Sequence, residues 1–178
     1  VALPANASKD IQYGISTGLS QLTLSDPDGP TNSTSASTLS LNARYKASIR
    51  RYSYWLTSIS FEKTSLSPSS TNIGQKTARW NFSGGFETRI PVSRRFEFYI
   101  SGLIGITQAE YASRHTVDGD GFLAERYSIR SSNDTFLKVQ STFYKKINKD
   151  WLFGVVPAYE YSLGDGFSGP SLSAVFYY

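Results

Sequence analysis

The sequence contains no cysteine and no methionine, and its 178 residues include a single histidine. Without cysteine there is no disulfide framework, no thiol nucleophile and no zinc–thiolate site. One histidine excludes most multi-histidine metal centres and imidazole relays, so no cofactor is expected. Long apolar runs are also missing, since no stretch approaches the roughly 18 apolar residues a membrane-spanning helix needs. Charge is sparing. Lys and Arg number 18 against 14 Asp and Glu, a net +4, without the clustered basic face of a nucleic-acid binder. What the chain has in quantity is aromatic: 12 Tyr, 11 Phe and 3 Trp, at a mean hydropathy of −0.30. That many rings argues against disorder. Rings dispersed through polar sequence are what strict alternation produces.

Period-two alternation recurs along the chain, and helical periodicity is nearly absent. From Leu39 to Arg50, Leu39, Leu41, Ala43, Tyr45, Ala47 and Ile49 share one face, and Ser40, Asn42, Arg44, Lys46, Ser48 and Arg50 the other. From Ala78 to Ile90 the apolar face holds Trp80, Phe82, Phe86 and Ile90, with Arg79, Asn81, Glu87 and Arg89 opposite. Phe96, Phe98, Ile100, Gly102, Ile104 and Ile106 form a third such face. Runs of about 11 residues are longer than usual soluble strands and fit a tilted strand that crosses a bilayer. The remaining strands are predicted at Gln12–Leu24, with a bulge near Gln21, and at Tyr54–Glu62, Phe136–Tyr144, Trp151–Ser162 and Pro170–Tyr178. That makes eight.

The connections alternate between long and short. Arg51–Ser53, Pro91–Arg95 and Lys145–Asp150 are short; Ser25–Thr38, Lys63–Lys76 and Ala109–Thr135 are long and rich in loop-forming residues. Antiparallel up-and-down strands put all short turns at one end and all long loops at the other. An even strand number with this layout predicts an all-β, eight-stranded antiparallel up-and-down transmembrane β-barrel. One domain is expected over residues 1–178, residues 1–10 being a short periplasmic segment. The start at Val1, without a charged-then-apolar leader, reads as an exported protein after signal cleavage.

A soluble, lipocalin-like carrier has a similar strand count but an apolar interior, so the orientation of the faces decides. The early Gly-x-Trp typical of lipocalins is missing. Aromatic residues gather near strand ends: Trp55, Phe96, Phe98, Phe143 and Trp151 by the short turns, Phe61, Trp80, Tyr159 and Tyr161 towards the loops. Such girdles suit the two interfaces of a bilayer. The polar face carries Arg44, Lys46, Arg79, Arg89 and Lys138 against Glu62, Glu87, Glu97 and Glu160. This near balance fits a salt-bridged lumen, because unpaired charges in a narrow barrel are costly. Pairing Ile90 with Phe96 sets Arg89 opposite Glu97, and makes Phe86–Ile100, Phe82–Ile104 and Trp80–Ile106 outward pairs.

In this pattern, ending on Leu172-Ser-Ala-Val-Phe-Tyr-Tyr178, the sequence resembles the small eight-stranded outer-membrane barrels, the OmpA/OmpX-like superfamily, over nearly its whole length. The resemblance implies residence in the outer membrane of a Gram-negative bacterium. It further implies that Leu172, Ala174, Phe176 and Tyr178 act as the terminal signal read by the barrel-assembly machinery. Unlike OmpA itself, the chain is expected to carry no peptidoglycan-binding domain after the barrel. Lipid A deacylases similar to this fold carry His-x-Ser on a strand, whereas His115 is followed by Thr116 and Val117. His115 therefore reads as a solvated loop histidine, and no enzymatic activity is expected.

The short turns concentrate basic residues, Arg50, Arg51, Arg94, Arg95, Lys145, Lys146 and Lys149. At a periplasmic rim these would meet lipid phosphates, each contact worth about 1 kcal/mol; the plain alternative is that turns are simply polar. Arg114, Arg126 and Arg130 in the longest loop would meet lipopolysaccharide. Asp26, Asp28, Asp118 and Asp120 flank turn glycines but lack the further ligands of a calcium loop, and read as hairpin tips or as weak cation contacts shared with lipopolysaccharide. Eight strands leave an interior about filled by side chains, which favours a plugged core over a pore. The expected role is structural or interactive: surface-loop display, envelope integrity, adhesion, or docking of another envelope protein. The alternatives are a narrow channel for small solutes and a lipid-modifying enzyme. Membrane lipids and lipopolysaccharide are the expected partners, and nucleic acid is not.

Overall fold

A computed structural model of the chain describes residues 10–24, 32–66, 75–93, 95–111, 114–117, 123–127, 130–148, 151–164 and 167–178. Eight strands close into an antiparallel barrel: β1 (Asp10–Leu24), β2 (Asn32–Arg50), β3 (Ser53–Leu66), β4 (Gln75–Pro91), β5 (Phe96–Tyr111), β8 (Arg130–Lys146), β9 (Leu152–Ser162) and β10 (Phe167–Tyr177). A separate hairpin, β6 (Arg114–Val117) with β7 (Leu123–Tyr127), lies in the longest connection. Among the described residues there is no helix. The seam joins β1 to β10, and beyond it Tyr13 and Tyr178 exchange backbone hydrogen bonds.

Walking the ladder from Asp10 through Lys46, Leu56, Gly85, Leu103, Lys138, Glu160 and Gly169 returns to β1 at the level of Leu22, twelve residues beyond the start. That stagger tilts the strands steeply to the barrel axis. Side chains that are not ladder neighbours therefore reach one height, where they can meet across the lumen.

The faces sort as the alternation predicts. Leu39, Leu41, Phe82, Phe86, Ile104, Val139 and Leu172 are exposed, while Arg44, Lys46, Glu62, Glu87, Glu97 and Glu160 are buried. Among the described residues, 31 large hydrophobic side chains are exposed and 14 polar or charged residues are buried. Such an apolar outer surface is far larger than a water-soluble monomer tolerates.

Several expectations are corrected. Strands run past the apolar belt at the loop end: β2 begins at Asn32 rather than Leu39, β8 at Arg130 rather than Phe136, and β5 continues to Tyr111. These extensions are invisible to an apolar/polar pattern because both of their faces are polar. The first strand begins at Asp10, and no bulge interrupts its pairing with β2 at Gln21. The irregularity lies on the other side, where the ladder to β10 skips Gly169 and Pro170. Gly169 holds a φ of 150° that favours glycine, and Pro170 has no N–H to give.

The β4–β5 hairpin is shifted by two residues from the expected register. Ile90 pairs with Phe98, Phe86 with Gly102, Phe82 with Ile106 and Trp80 with Gln108. Ser93 accounts for the shift. Its Oγ accepts hydrogen bonds from the Arg95 and Phe96 amides, and its own N–H donates to the Phe96 carbonyl, closing a turn that leaves Pro91 opposite Glu97. A shift of two preserves the faces, so the inside–outside assignment survives it.

Candidate functional site

The lumen holds two charged layers. At the loop end Arg79 of β4 reaches across the barrel. Its Nε and Nη2 lie 2.7 Å from Glu62 Oε2, and its Nη1 lies 2.8 Å from Glu160 Oε1. Lys138 stands 3.6 Å from the other oxygen of Glu160. One arginine thus ties β3 to β9 through β4, two of its nitrogens converging on one oxygen of Glu62 and the third reaching Glu160, which only a planar, multi-donor guanidinium can do.

At the short-turn end the layer is aromatic as well as ionic. Arg44 Nε donates to Gln12 Oε1 at 2.7 Å and Nη1 to the Tyr144 hydroxyl at 2.5 Å. Its guanidinium lies 3.8 Å from the centroid of the Tyr177 ring. Lys46 pairs with Glu87, and its ammonium lies 4.0 Å from the Tyr99 ring centroid. The Tyr99 hydroxyl donates to Glu97 Oε2 at 2.8 Å. Glu97 Oε1 is shared by Arg89 at 2.6 Å and Lys146 at 2.9 Å. A buried cation facing ring quadrupoles is stabilised without a full counter-charge.

Tyr99, Tyr144 and Val175 form a buried cluster, with Tyr54 and Tyr177 packed against it. Sequence reasoning missed these tyrosines, although the signal was present: Tyr99 and Tyr144 fall on the same parity as Glu97 and Lys138, the charged face. Glycines make room for the rings. Tyr144 lies opposite Gly154 and Tyr177 opposite Gly14, and a Cβ on either glycine would sit 2.6 Å from ring atoms.

Between the layers lies a cavity of about 140 Å³, lined by serines from several strands, with Arg44, Tyr144 and Tyr177 on one side and Glu62, Arg79 and Glu160 on the other. The lining is hydrogen-bonded from strand to strand: Ser16 to Ser40 at 2.5 Å, and Ser58 to Ser83 at 2.7 Å. It is a small chamber of mixed lining, flanked by the Arg44–tyrosine layer and by the ion pairs of Arg79.

All nine lumen residues read from the sequence lie on the inner face. Arg89 and Glu97 meet on the diagonal, since Arg89 pairs with Tyr99 in the ladder. On the rim, Arg50, Arg51, Arg95 and Lys145 are exposed, and Arg51 stacks over Tyr52 at 5.2 Å. Lys146 belongs partly to the lumen through Glu97, which its rim assignment did not foresee. Leu172, Phe176 and Tyr178 are exposed, with Ala174 between them. The backbone of His115 lies in β6 and those of Arg114, Arg126 and Arg130 in β6, β7 and β8. Arg94, Lys149, Asp26, Asp28, Asp118 and Asp120 lie outside the described residues. Among the described residues no three metal-ligating side chains gather.

No family model and no curated protein matches the sequence. Solved structures do match in fold. Neisserial surface protein A, NspA, aligns at 10% identity with a TM-score of 0.58, over 93% of this chain and 95% of that one. The outer membrane enzyme PagL aligns at 12% identity with a TM-score of 0.55, over 91% of this chain and 97% of that one. The chain therefore has the closed eight-stranded barrel fold of the small outer-membrane proteins.

Proposed function

We propose that this protein is an integral outer-membrane barrel of a Gram-negative bacterium with a closed lumen. It acts as a structural and interactive element of the envelope rather than as a channel or an enzyme. The observation that carries this reading is the inverted distribution of polarity. Ion pairs and tyrosines are packed inside around a small chamber, while the outer wall is apolar. The working surface is then what stands above the membrane. There β2, β3, β4, β5 and β8 continue beyond the apolar belt, exposing Ser37, Lys63, Ser65, Gln108, Glu110 and Asn133. Loops mounted on such strand extensions lose less freedom on meeting a partner than loops rising directly from the bilayer. Against lipid chemistry stands the sequence around the single imidazole, Arg114-His115-Thr116-Val117, which places no serine two residues beyond it.

Planar-bilayer recording of the purified full chain tests this reading. Insertion without single-channel steps above background is the expected result. Discrete conductance steps would overturn the closed lumen.

A further inference from the structure

We propose that the short-turn rim binds anionic phospholipid headgroups of the periplasmic leaflet, most strongly at Arg95 and Lys145. The inference rests on the outer-membrane reading above and names a partner for one face of the barrel. Among the side chains described at that end, the exposed charged ones are Arg50, Arg51, Arg95, Lys145 and Lys146, all basic. Among the acids whose side chains are described, the one beside them, Glu97, is buried and already shared by Arg89 and Lys146. The opposite end differs: its exposed charged side chains include both Lys63 and Glu110.

These cations form a continuous arc. The Arg89 amide donates to the Tyr52 carbonyl, which ties the turn bearing Arg50 and Arg51 to β4. The Lys146 amide donates to the Arg95 carbonyl at 3.0 Å, which joins the next two turns. Lys145 belongs to the outer face, because it shares the parity of Phe143, Val139 and Leu137 and pairs with Phe96 and Phe153. Its ammonium therefore stands at the foot of an aromatic patch in which Phe98 and Phe143 lie 4.4 Å apart.

The turns also expose Val92 and Ile147, at 62% and 57%, beside the basic residues. A surface meant only for water or for a soluble acidic polymer has no use for apolar tips at that level. A phospholipid interface does, since it offers acyl chain to Val92, Ile147 and Phe96 and phosphate to Arg95 and Lys145.

The test uses the full chain carrying Trp80→Phe, so that Trp55 and Trp151, both towards the short-turn end, are the fluorescent reporters. The protein is placed in phosphatidylcholine nanodiscs doped with brominated phosphatidylglycerol or, separately, brominated phosphatidylcholine. Quenching is expected to favour phosphatidylglycerol by about fivefold for each basic side chain in contact, and to fall as salt is raised. Arg95→Gln with Lys145→Gln should reduce the preference at least fivefold, whereas Lys63→Gln should leave it unchanged. Equal quenching by the two lipids would overturn the rim proposal while leaving the barrel in the membrane. Quenching by neither would overturn the outer-membrane reading itself. Displacement of the brominated phosphatidylglycerol by a soluble muropeptide would assign the arc to the cell wall and also overturn the proposal.

Discussion

At the loop end of the lumen Arg79 is gripped by two carboxylates, Glu62 and Glu160, whereas at the short-turn end Arg44 is held by an amide, a phenol and an aromatic face. Both guanidiniums lie inside the barrel and reach across it, yet only one is neutralised by direct ion pairing. The contrast shows two ways to plug a narrow tube. A compact ionic knot fixes strands by charge and demands every partner. A layer of tyrosines fills volume and tolerates charge through ring electrostatics and shared hydroxyls.

Arg79→Ala should break the first device outright. It leaves two buried carboxylates with Lys138 alone nearby, and a loss of about 3–5 kcal/mol is expected, read as a lower urea midpoint for the barrel refolded into lipid vesicles. Tyr177→Leu is the matching change in the second device. It removes the ring beneath Arg44 but leaves Gln12 and Tyr144 in place, so the loss should be about 1–2 kcal/mol on the same scale. If the two losses prove equal, the distinction between ionic and aromatic plugging fails. Arg89→Gln should matter least, at under about 1 kcal/mol. Arg89 is partly open to solvent, and Lys146 remains 2.9 Å from Glu97. A larger effect would place Arg89 in the essential part of the lower layer and sharpen the boundary between lumen and rim.

The fold was legible because the outward face of each belt strand is nearly pure in apolar residues, as along Leu39–Ile49 and Ala78–Ile90. Parity alone then places the nine mid-strand charges, from Arg44 to Glu160, in the lumen. Partner choice was less legible. Arg79 meets Glu160, 81 positions away, only because the stagger of the ladder brings β4 and β9 to one height, and alternation carries no information about stagger. The hairpin register differs from the expected one for a local reason, the capture of two amides by Ser93. The tyrosine layer is legible only by parity: Tyr99 and Tyr144 share the charged face, which marks them as interior although most rings of the chain belong to the belt. The strand extensions left no pattern to read, since water lies outside them and a polar lumen inside.

The hydrogen bonds between Tyr13 and Tyr178 have a consequence for biogenesis. The β1 strand cannot complete its pairing until β10 is in place, so every partial sheet carries two raw edges. Contacts of such long sequence separation form slowly and expose sticky intermediates.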